Sequence, residues 1–290
     1  MMSLLILRIA AILYAGAAAG FITFFAKPRW KRAAAWGDSL LLAAFVVHAV
    51  AIGFGCREYG GMEFLTLRGG FLMLAWLVSG AFLLVQRVYP VPSVGAFATP
   101  LVVVTLLPTL FGPPNAPPQP PERLRHGLLS GHIFVAVLGV AIFALAFGVA
   151  LMYLLQEREV KGKRFGALFS RLPSLSQLDT LEQRLVRIGF VVFTIALVLG
   201  SLLANQAWGH FWQWDPKQIF SLVSWLLYGA LVQLRRSGLH GRRYALLSMV
   251  GFAIIITSFV GLGLVPVGKH GRDYGLNRPA QGETAGRSAQ

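Results

Sequence analysis

Cysteine and acidic residues are scarce in this sequence. Cys56 is the single cysteine among 290 residues, so the chain can form no internal disulfide and contains neither a CxxC thiol pair nor a CxxCH haem-attachment motif. These absences exclude a thiol oxidoreductase of the usual kind and a c-type cytochrome. Only 11 Asp and Glu stand against 26 Lys and Arg, which gives a formal net charge of +15.

Charged residues of either sign are also few for a chain of this length. They make up 13% of the sequence, whereas 56% of the residues are hydrophobic. The mean hydropathy is +0.65. A soluble globular chain has about 25% charged residues, so this composition predicts an integral membrane protein.

The long apolar segments set the expected architecture. A helix needs about 20 apolar residues to cross about 30 Å of hydrocarbon, and by that measure the chain has about eight spans. Their approximate bounds are 3–26, 37–54, 70–87, 94–111, 130–155, 186–204, 217–234 and 244–266. We therefore expect an all-α membrane protein with one polytopic domain, 1–270, and a disordered polar tail, 271–290. The first segment lacks a cleavage site and is expected to be retained.

The positions of the basic residues predict the orientation. Sixteen of the 26 Lys and Arg fall in alternate loops, and short cytoplasmic loops are the ones enriched in these residues. Both termini and the loop between spans six and seven are then outside. The predicted membrane topology accounts for most of the positive charge, because these basic residues lie in cytoplasmic loops. The charge therefore does not indicate nucleic-acid binding. In the long inner loop, 171–185 (RLPSLSQLDTLEQRL) is expected to form a short amphipathic helix at the interface.

Aromatic residues are concentrated in the outer loop between spans six and seven, which we call the aromatic loop (residues 205–218). Four of them lie within seven positions: Trp208, Phe211, Trp212 and Trp214. An interfacial aromatic belt is one interpretation. The density favours a platform for a planar apolar ligand. If 208–215 were helical, Trp208, Phe211, Trp212 and Asp215 would share one face.

Asp215 and Pro216 also have a local structural interpretation. Asp is favoured as a helix N-cap and Pro at the first helical position, so the pair is a start signal for the seventh span.

Two histidines are expected at the depth of the aromatic loop. His132 lies at the outer mouth of span five, and His270 lies beyond span eight. Each alone is typical of an interfacial histidine. Two imidazoles beside an aromatic platform suit haem, because they can coordinate its iron from opposite faces. A zinc or copper site would require three or four ligands. The pattern therefore favours haem b.

His48 differs because it lies within the second span. An ionisable residue at that depth is costly and indicates a functional site, although a neutral histidine bonded to a neighbouring helix is the alternative.

The loop sequence resembles that of a known family. WGHFWQWDPKQ, followed by SLVSWLLY, is similar to the WWD motif, WGxxWxWDPKE, of haem-handling proteins in cytochrome c maturation. The stretch beginning HIFVAVLGV at His132, the stretch LPSLSQLDTLEQRLVRIGF and the ending GLGLVPVGKH resemble the CcsA/ResC-type subunit of the system II cytochrome c synthetase. The resemblance covers most of residues 36–270. CcmC-type proteins are shorter and lack a histidine like His48.

This resemblance implies a function. Haem would pass from the cytoplasm to an outer site and be joined to the CxxCH cysteines of an apocytochrome c, together with a CcsB/ResB-type partner in a bacterial cytoplasmic membrane. The chain would then be a subunit of a cytochrome c haem lyase. The resemblance implies His132 and His270 as outer axial ligands, and His48 as one inner ligand. It implies a platform made of Trp208, Gly209, Trp212, Trp214 and Asp215.

The sequence departs from the family pattern at two positions. Gln233 stands where the second membrane histidine is expected, and an amide oxygen is a poorer ligand for haem iron than an imidazole. Gln218 stands where the motif has glutamate. Three alternatives stay open: a CcmC-type haem chaperone or exporter without synthetase activity, a haem b electron carrier, and a structural subunit that binds no haem.

Overall fold

The computed structural model describes residues 2–59, 62–111, 127–163 and 166–261. These residues form nine α-helices and no strand, which confirms the all-α prediction. The helices are α1 (Met2–Ala26), α2 (Lys31–Tyr59), α3 (Leu67–Val88), α4 (Pro92–Phe111), α5 (Gly127–Lys161), α6 (Ala167–Arg171), α7 (Leu175–Trp208), α8 (Pro216–Arg236) and α9 (Arg242–Ile256). A 3₁₀ helix (Met62–Leu65) precedes α3, and a π-helical turn (Thr257–Gly261) follows α9.

Seven helices in the described ranges are long and apolar enough to cross a membrane. They are α1 to α5, α7, and α9 with its π-helical turn. The fourth predicted span is therefore a helix despite Pro100 and Pro108. The predicted span 217–234 forms α8, which is not one of the seven, because polar residues such as Ser221, Ser224 and Gln233 lower its hydropathy. Its crossing of the membrane stays a prediction.

The expected interfacial helix over 171–185 is wrong as a separate element. Ser174 caps α7, since its hydroxyl accepts the Gln177 N–H and the Gln177 side chain accepts the Ser174 N–H. From this capping box the helix continues without a break to Trp208. Its first turns are amphipathic because Leu178, Leu181 and other apolar residues are buried against the protein.

α5 is the central helix of the second half of the fold. It packs on α7, α9 and α3, and α3 in turn packs on α4, while α1 packs on α2 and α4. Small residues allow α5 and α7 to approach closely: a β-carbon at Gly189 would lie 2.7 Å from a ring carbon of Phe143. Phe143 also stacks on Tyr228 of α8, with ring centroids 3.7 Å apart.

Charged residues join helices at the end of the bundle where α7 begins. Asp179 of α7 forms a bidentate ion pair with Arg235 of α8 and also accepts the N–H of Gly241, at the start of α9. Glu157 of α5 pairs with Lys161 at 2.7 Å and with Arg242 at 3.6 Å. Trp208 lies 29 residues after Asp179, about 44 Å away along the helix axis. The aromatic loop is thus at the opposite end.

Candidate functional site

The aromatic loop begins in the last turn of α7, and the helix ends at Trp208. Gly209 adopts a left-handed conformation with φ 79°, and its N–H donates to the Asn205 carbonyl at 2.8 Å, which terminates the helix. Residues 209–215 are therefore not helical, so the condition under which Trp208, Phe211, Trp212 and Asp215 would share one helical face is not met. A glycine within the segment gives the physical reason, since it takes up the left-handed conformation at low cost.

Hydrogen bonds fix the loop to the helices on both sides. The Ser201 hydroxyl donates to the Phe211 carbonyl at 3.0 Å, so the chain folds back over the last two turns of α7. The Gln213 N–H donates to Oε1 of Gln218, in the first turn of α8, at 2.9 Å. Gln218, one of the two departures from the family pattern, thus holds the loop with an oxygen that glutamate would also provide.

Asp215 acts as the predicted N-cap of α8. Its Oδ1 accepts the Lys217 N–H at 2.9 Å, Pro216 follows at the first helical position, and Asp215 is only 5% exposed. The start signal read from the sequence is confirmed, whereas a role for Asp215 in a ligand platform stays a prediction.

The tryptophans of the loop differ in exposure. Trp212 and Trp214 pack edge to face with ring centroids 5.6 Å apart. Trp214 is 73% exposed and has a positive φ of 52°, a conformation unfavourable for an aromatic residue. The Trp212 indole nitrogen is buried and has no acceptor within the described ranges. Trp208, at the end of α7, is partly buried. The loop therefore combines an exposed ring, a strained backbone and an unsatisfied donor, which is typical of a binding surface.

His132 of α5 is held by α7. Its Nδ1 lies 3.0 Å from the Ala196 carbonyl oxygen. A carbonyl oxygen only accepts, so Nδ1 bears the hydrogen and Nε2 of the neutral ring retains its lone pair. The ring also lies against Gly200, where a β-carbon would be 2.8 Å from Cε1. This is the arrangement of metal-ligating histidines, which donate the other ring N–H to the protein.

His132 and the aromatic loop each contact the last turns of α7, at neighbouring residues. Gly200 contacts the imidazole, and the next residue, Ser201, binds the Phe211 carbonyl. His270, the residues 112–121 and the tail from 271 lie outside the described residues.

The sequence analysis did not identify Ala196, Gly200 and Ser201 as residues of the site. The spacing of Gly189, Phe193, Ala196 and Gly200 at four, three and four residues on one helical face was the available signal.

His48 of α2 is fully buried, at 0% exposure. Its Nδ1 lies 3.3 Å from the Tyr14 hydroxyl of α1, and Nε2 is buried with no hydrogen-bond partner in the described part of the chain. Gln233 is exposed on α8, which packs on α7 and α9, whereas α2 packs on α1 and α3. The structure therefore does not place Gln233 as a second ligand beside His48.

Comparisons with known proteins agree with this architecture. The family model described as "Cytochrome C assembly protein" matches residues 64–270, a range that includes α5, α7 and the aromatic loop. "Cytochrome c biogenesis protein CcsA" of Parasynechococcus marenigrum (strain WH8102) is 33% identical over 239 residues, covering 73% of this chain and 78% of that protein. The protein of the same name from Synechococcus sp. (strain CC9605) is 32% identical over 223 residues, covering 68% and 73%.

A solved structure shares the fold. "Cytochrome c Heme Lyase CcmF" superposes with a TM-score of 0.64 at 16% identity, over 90% of this chain and 47% of that chain. The chain thus spans about half the length of that structure, and the likeness concerns the arrangement of helices.

Proposed function

This chain belongs to the cytochrome c assembly protein family, and we propose that within it the chain binds haem b and presents it for attachment to apocytochrome c. The observation that supports this most directly is the setting of His132. Its Nδ1–H is bound to the Ala196 carbonyl, and the ring packs against Gly200, next to Ser201, which binds the aromatic loop. A candidate ligand nitrogen and the aromatic loop are thus both held by the last turns of α7.

The described residues fit haem on three points. His132 Nδ1 donates to the Ala196 carbonyl, so Nε2 is the nitrogen of the neutral ring that would bind iron. The Trp212 and Trp214 rings offer apolar contact, and the buried Trp212 N–H is a donor suited to a haem propionate. We assign His132 and His270 as the two residues that would hold the haem iron at the outer site. The platform comprises Trp208, Gly209, Trp212, Trp214 and Asp215.

The reaction needs orientation more than it needs a catalytic group. Haem supplies two vinyl groups, and each cysteine thiol of CxxCH adds across one of them, with sulfur bonding one carbon and hydrogen passing to the other. No oxidant, reductant or covalent nucleophile from this chain enters the balance. The residues of the site contribute by holding the ring at a fixed tilt and excluding water from its faces.

We further propose the cellular setting. The aromatic loop and both termini lie on the outer face of a bacterial cytoplasmic membrane, with α8 as the eighth span, because sixteen of the 26 basic residues then face the cytoplasm. A CcsB/ResB-type subunit completes the haem lyase. Relatives named for cytochrome c biogenesis support this assignment. His48 would be the single imidazole of an inner haem site, since Gln233 is not near it.

Haem content tests the outer site. The chain purified in detergent should contain haem with a bis-imidazole spectrum, and His132→Ala or His270→Ala should abolish retention at the outer site. His210→Ala is the matched control, because His210 is exposed in the same loop and is assigned no ligand role. Full and unchanged bis-imidazole spectra in both ligand variants would show that the assignment is wrong.

A second experiment distinguishes covalent attachment of haem to apocytochrome c from haem binding alone. The chain is co-expressed with a CcsB/ResB-type subunit and a CxxCH reporter, and covalent haem on the reporter is measured. We expect attachment only when both subunits are present. Haem bound to the chain without any reporter attachment would instead identify a CcmC-type chaperone or exporter.

A further inference from the structure

Two buried hydroxyl groups connect His48 to the backbone of α3. The Tyr14 hydroxyl of α1 lies 3.3 Å from His48 Nδ1 and 2.8 Å from Oγ of Ser79. Ser79 Oγ in turn lies 2.7 Å from the carbonyl oxygen of Trp76. His48, Tyr14 and Ser79 are each 0% exposed. The chain of contacts thus runs from α2 through α1 to α3 without access to solvent.

The direction of each hydrogen bond follows from counting hydrogens. A carbonyl oxygen only accepts, so Ser79 donates its one hydrogen to Trp76. Oγ of Ser79 can then only accept, and the Tyr14 hydroxyl donates to it. With its single hydrogen so placed, the Tyr14 oxygen can only accept from His48. The His48 nitrogen that donates is Nδ1.

The reverse arrangement is less favourable. If Tyr14 donated to His48 Nδ1, Ser79 would donate to Tyr14, and two hydrogen bonds would form in place of three. Oγ of Ser79 and the Trp76 carbonyl oxygen would then face each other at 2.7 Å with no hydrogen between them. For buried groups, the loss of such a hydrogen bond is unfavourable, because a desolvated polar atom is left without a partner.

We propose that Tyr14 and Ser79 are positioning residues that fix His48 in its Nδ1–H tautomer. Nε2 then keeps its lone pair, and it is the buried ring nitrogen that has no partner in the described ranges. This is the form in which an imidazole coordinates haem iron. The identity of the ligand rests on the proposed function, whereas the tautomer is a property of the protein alone.

Trp76 and Phe45 form further contacts between α3 and α2 near His48. The Trp76 indole N–H donates to the Phe45 carbonyl at 3.2 Å, and the Phe45 and Trp76 rings are stacked with centroids 4.9 Å apart. Phe45 lies one turn before His48 on α2. These contacts therefore join α2 to α3 close to the hydrogen bonds of His48, Tyr14 and Ser79.

Nitrogen NMR of the haem-free full chain tests the proposal directly. Labelling with ¹⁵N-histidine distinguishes the protonated from the unprotonated ring nitrogen, and the His48 signals are assigned by their loss in His48→Gln. We expect the Nδ1–H tautomer in the unaltered chain. In Ser79→Ala the Tyr14 hydroxyl loses its acceptor and becomes free to donate to Nδ1, so the tautomer should change to Nε2–H. Tyr14→Phe should leave a mixture of the two.

Ser224→Ala is the matched control. Ser224 is also fully buried and donates to a carbonyl of its own helix, that of Phe220 at 2.8 Å, so its loss should leave the His48 tautomer unchanged. An Nε2–H tautomer in the unaltered chain would overturn the proposal. The same Nδ1–H tautomer in Ser79→Ala and Tyr14→Phe would overturn it as well.

Haem binding supplies the second readout. In a His132→Ala background, where the outer ligand is absent, we expect Ser79→Ala to weaken haem binding that depends on His48 by about 10- to 100-fold. Unchanged binding with an unchanged tautomer contradicts the positioning role. A correct tautomer with no His48-dependent haem contradicts the inner site of the proposed function and leaves the tautomer inference standing.

Discussion

The imidazole of His132 lies directly against Gly200, so close that a β-carbon at Gly200 would be 2.8 Å from Cε1 and 3.3 Å from Nδ1. Gly200 therefore leaves the space in which the ring turns its Nδ1–H toward the Ala196 carbonyl, one turn earlier on the same helix. The orientation of a side chain on α5 is thus determined by the absence of a side chain on α7.

Gly200→Ala should displace the His132 ring without unfolding the protein. The new methyl group forces the ring to rotate and lengthens its bond to Ala196, so we expect outer-site haem affinity to fall about 10- to 100-fold. Haem titration monitored by absorbance measures this. Gly148→Ala on α5 is the control, because a β-carbon there meets no atom within 4 Å. Equal affinity in both variants would contradict the role of Gly200.

Gln218→Ala should loosen the aromatic loop, whereas Gln218→Glu should not. The alanine variant loses the acceptor of the Gln213 N–H, a hydrogen bond with a net contribution of about 1 kcal/mol, while glutamate retains an oxygen at that position. Limited chymotrypsin digestion measures the difference, since Phe211 and Trp214 are exposed cleavage sites. Faster cleavage of both variants by the same factor would mean that the oxygen is not the group that matters.

Trp214→Gly should stabilise the fold and weaken haem binding together. Relief of the positive φ of 52° should contribute about 1 kcal/mol, whereas the loss of the exposed ring removes part of the platform. Thermal unfolding and haem titration of the same samples measure both effects. Lys163→Gly is a matched control, because Lys163 has the same φ and lies far from the loop. It should raise stability and leave haem affinity unchanged.

Arg235→Leu should destabilise the junction of α7, α8 and α9. Both side chains of the Arg235–Asp179 pair are largely buried, so removal of the guanidinium leaves a carboxylate without its partner and should cost about 3 kcal/mol. The adjacent Arg236 is exposed, and Arg236→Leu should change the melting temperature little. Similar melting temperatures for the two variants would show that the pair is not a stabilising contact.

The sequence predicted features that depend on neighbouring residues, such as helix caps. It did not predict contacts between distant segments. Asp215 and Pro216 predicted the start of α8 because a cap involves only neighbouring residues. The capping box at Ser174 was equally local and was missed, although serine and glutamine three residues apart indicate a helix start. The relation of Ser201 to Phe211, and of Tyr14 to His48, depends on how chain segments meet, which periodicity does not reveal.

The aromatic loop and the His132 ring are both held by the last turns of α7, and this determines how the site responds to the thickness of the membrane. Helices change their tilt when the hydrocarbon thickness changes. The aromatic loop is bonded to Ser201, and the His132 ring is bonded to Ala196 and packs against Gly200, so both follow any tilt of α7 together. A change in lipid composition can therefore change the tilt of the helices, while the distance between the His132 ring and the aromatic loop stays the same.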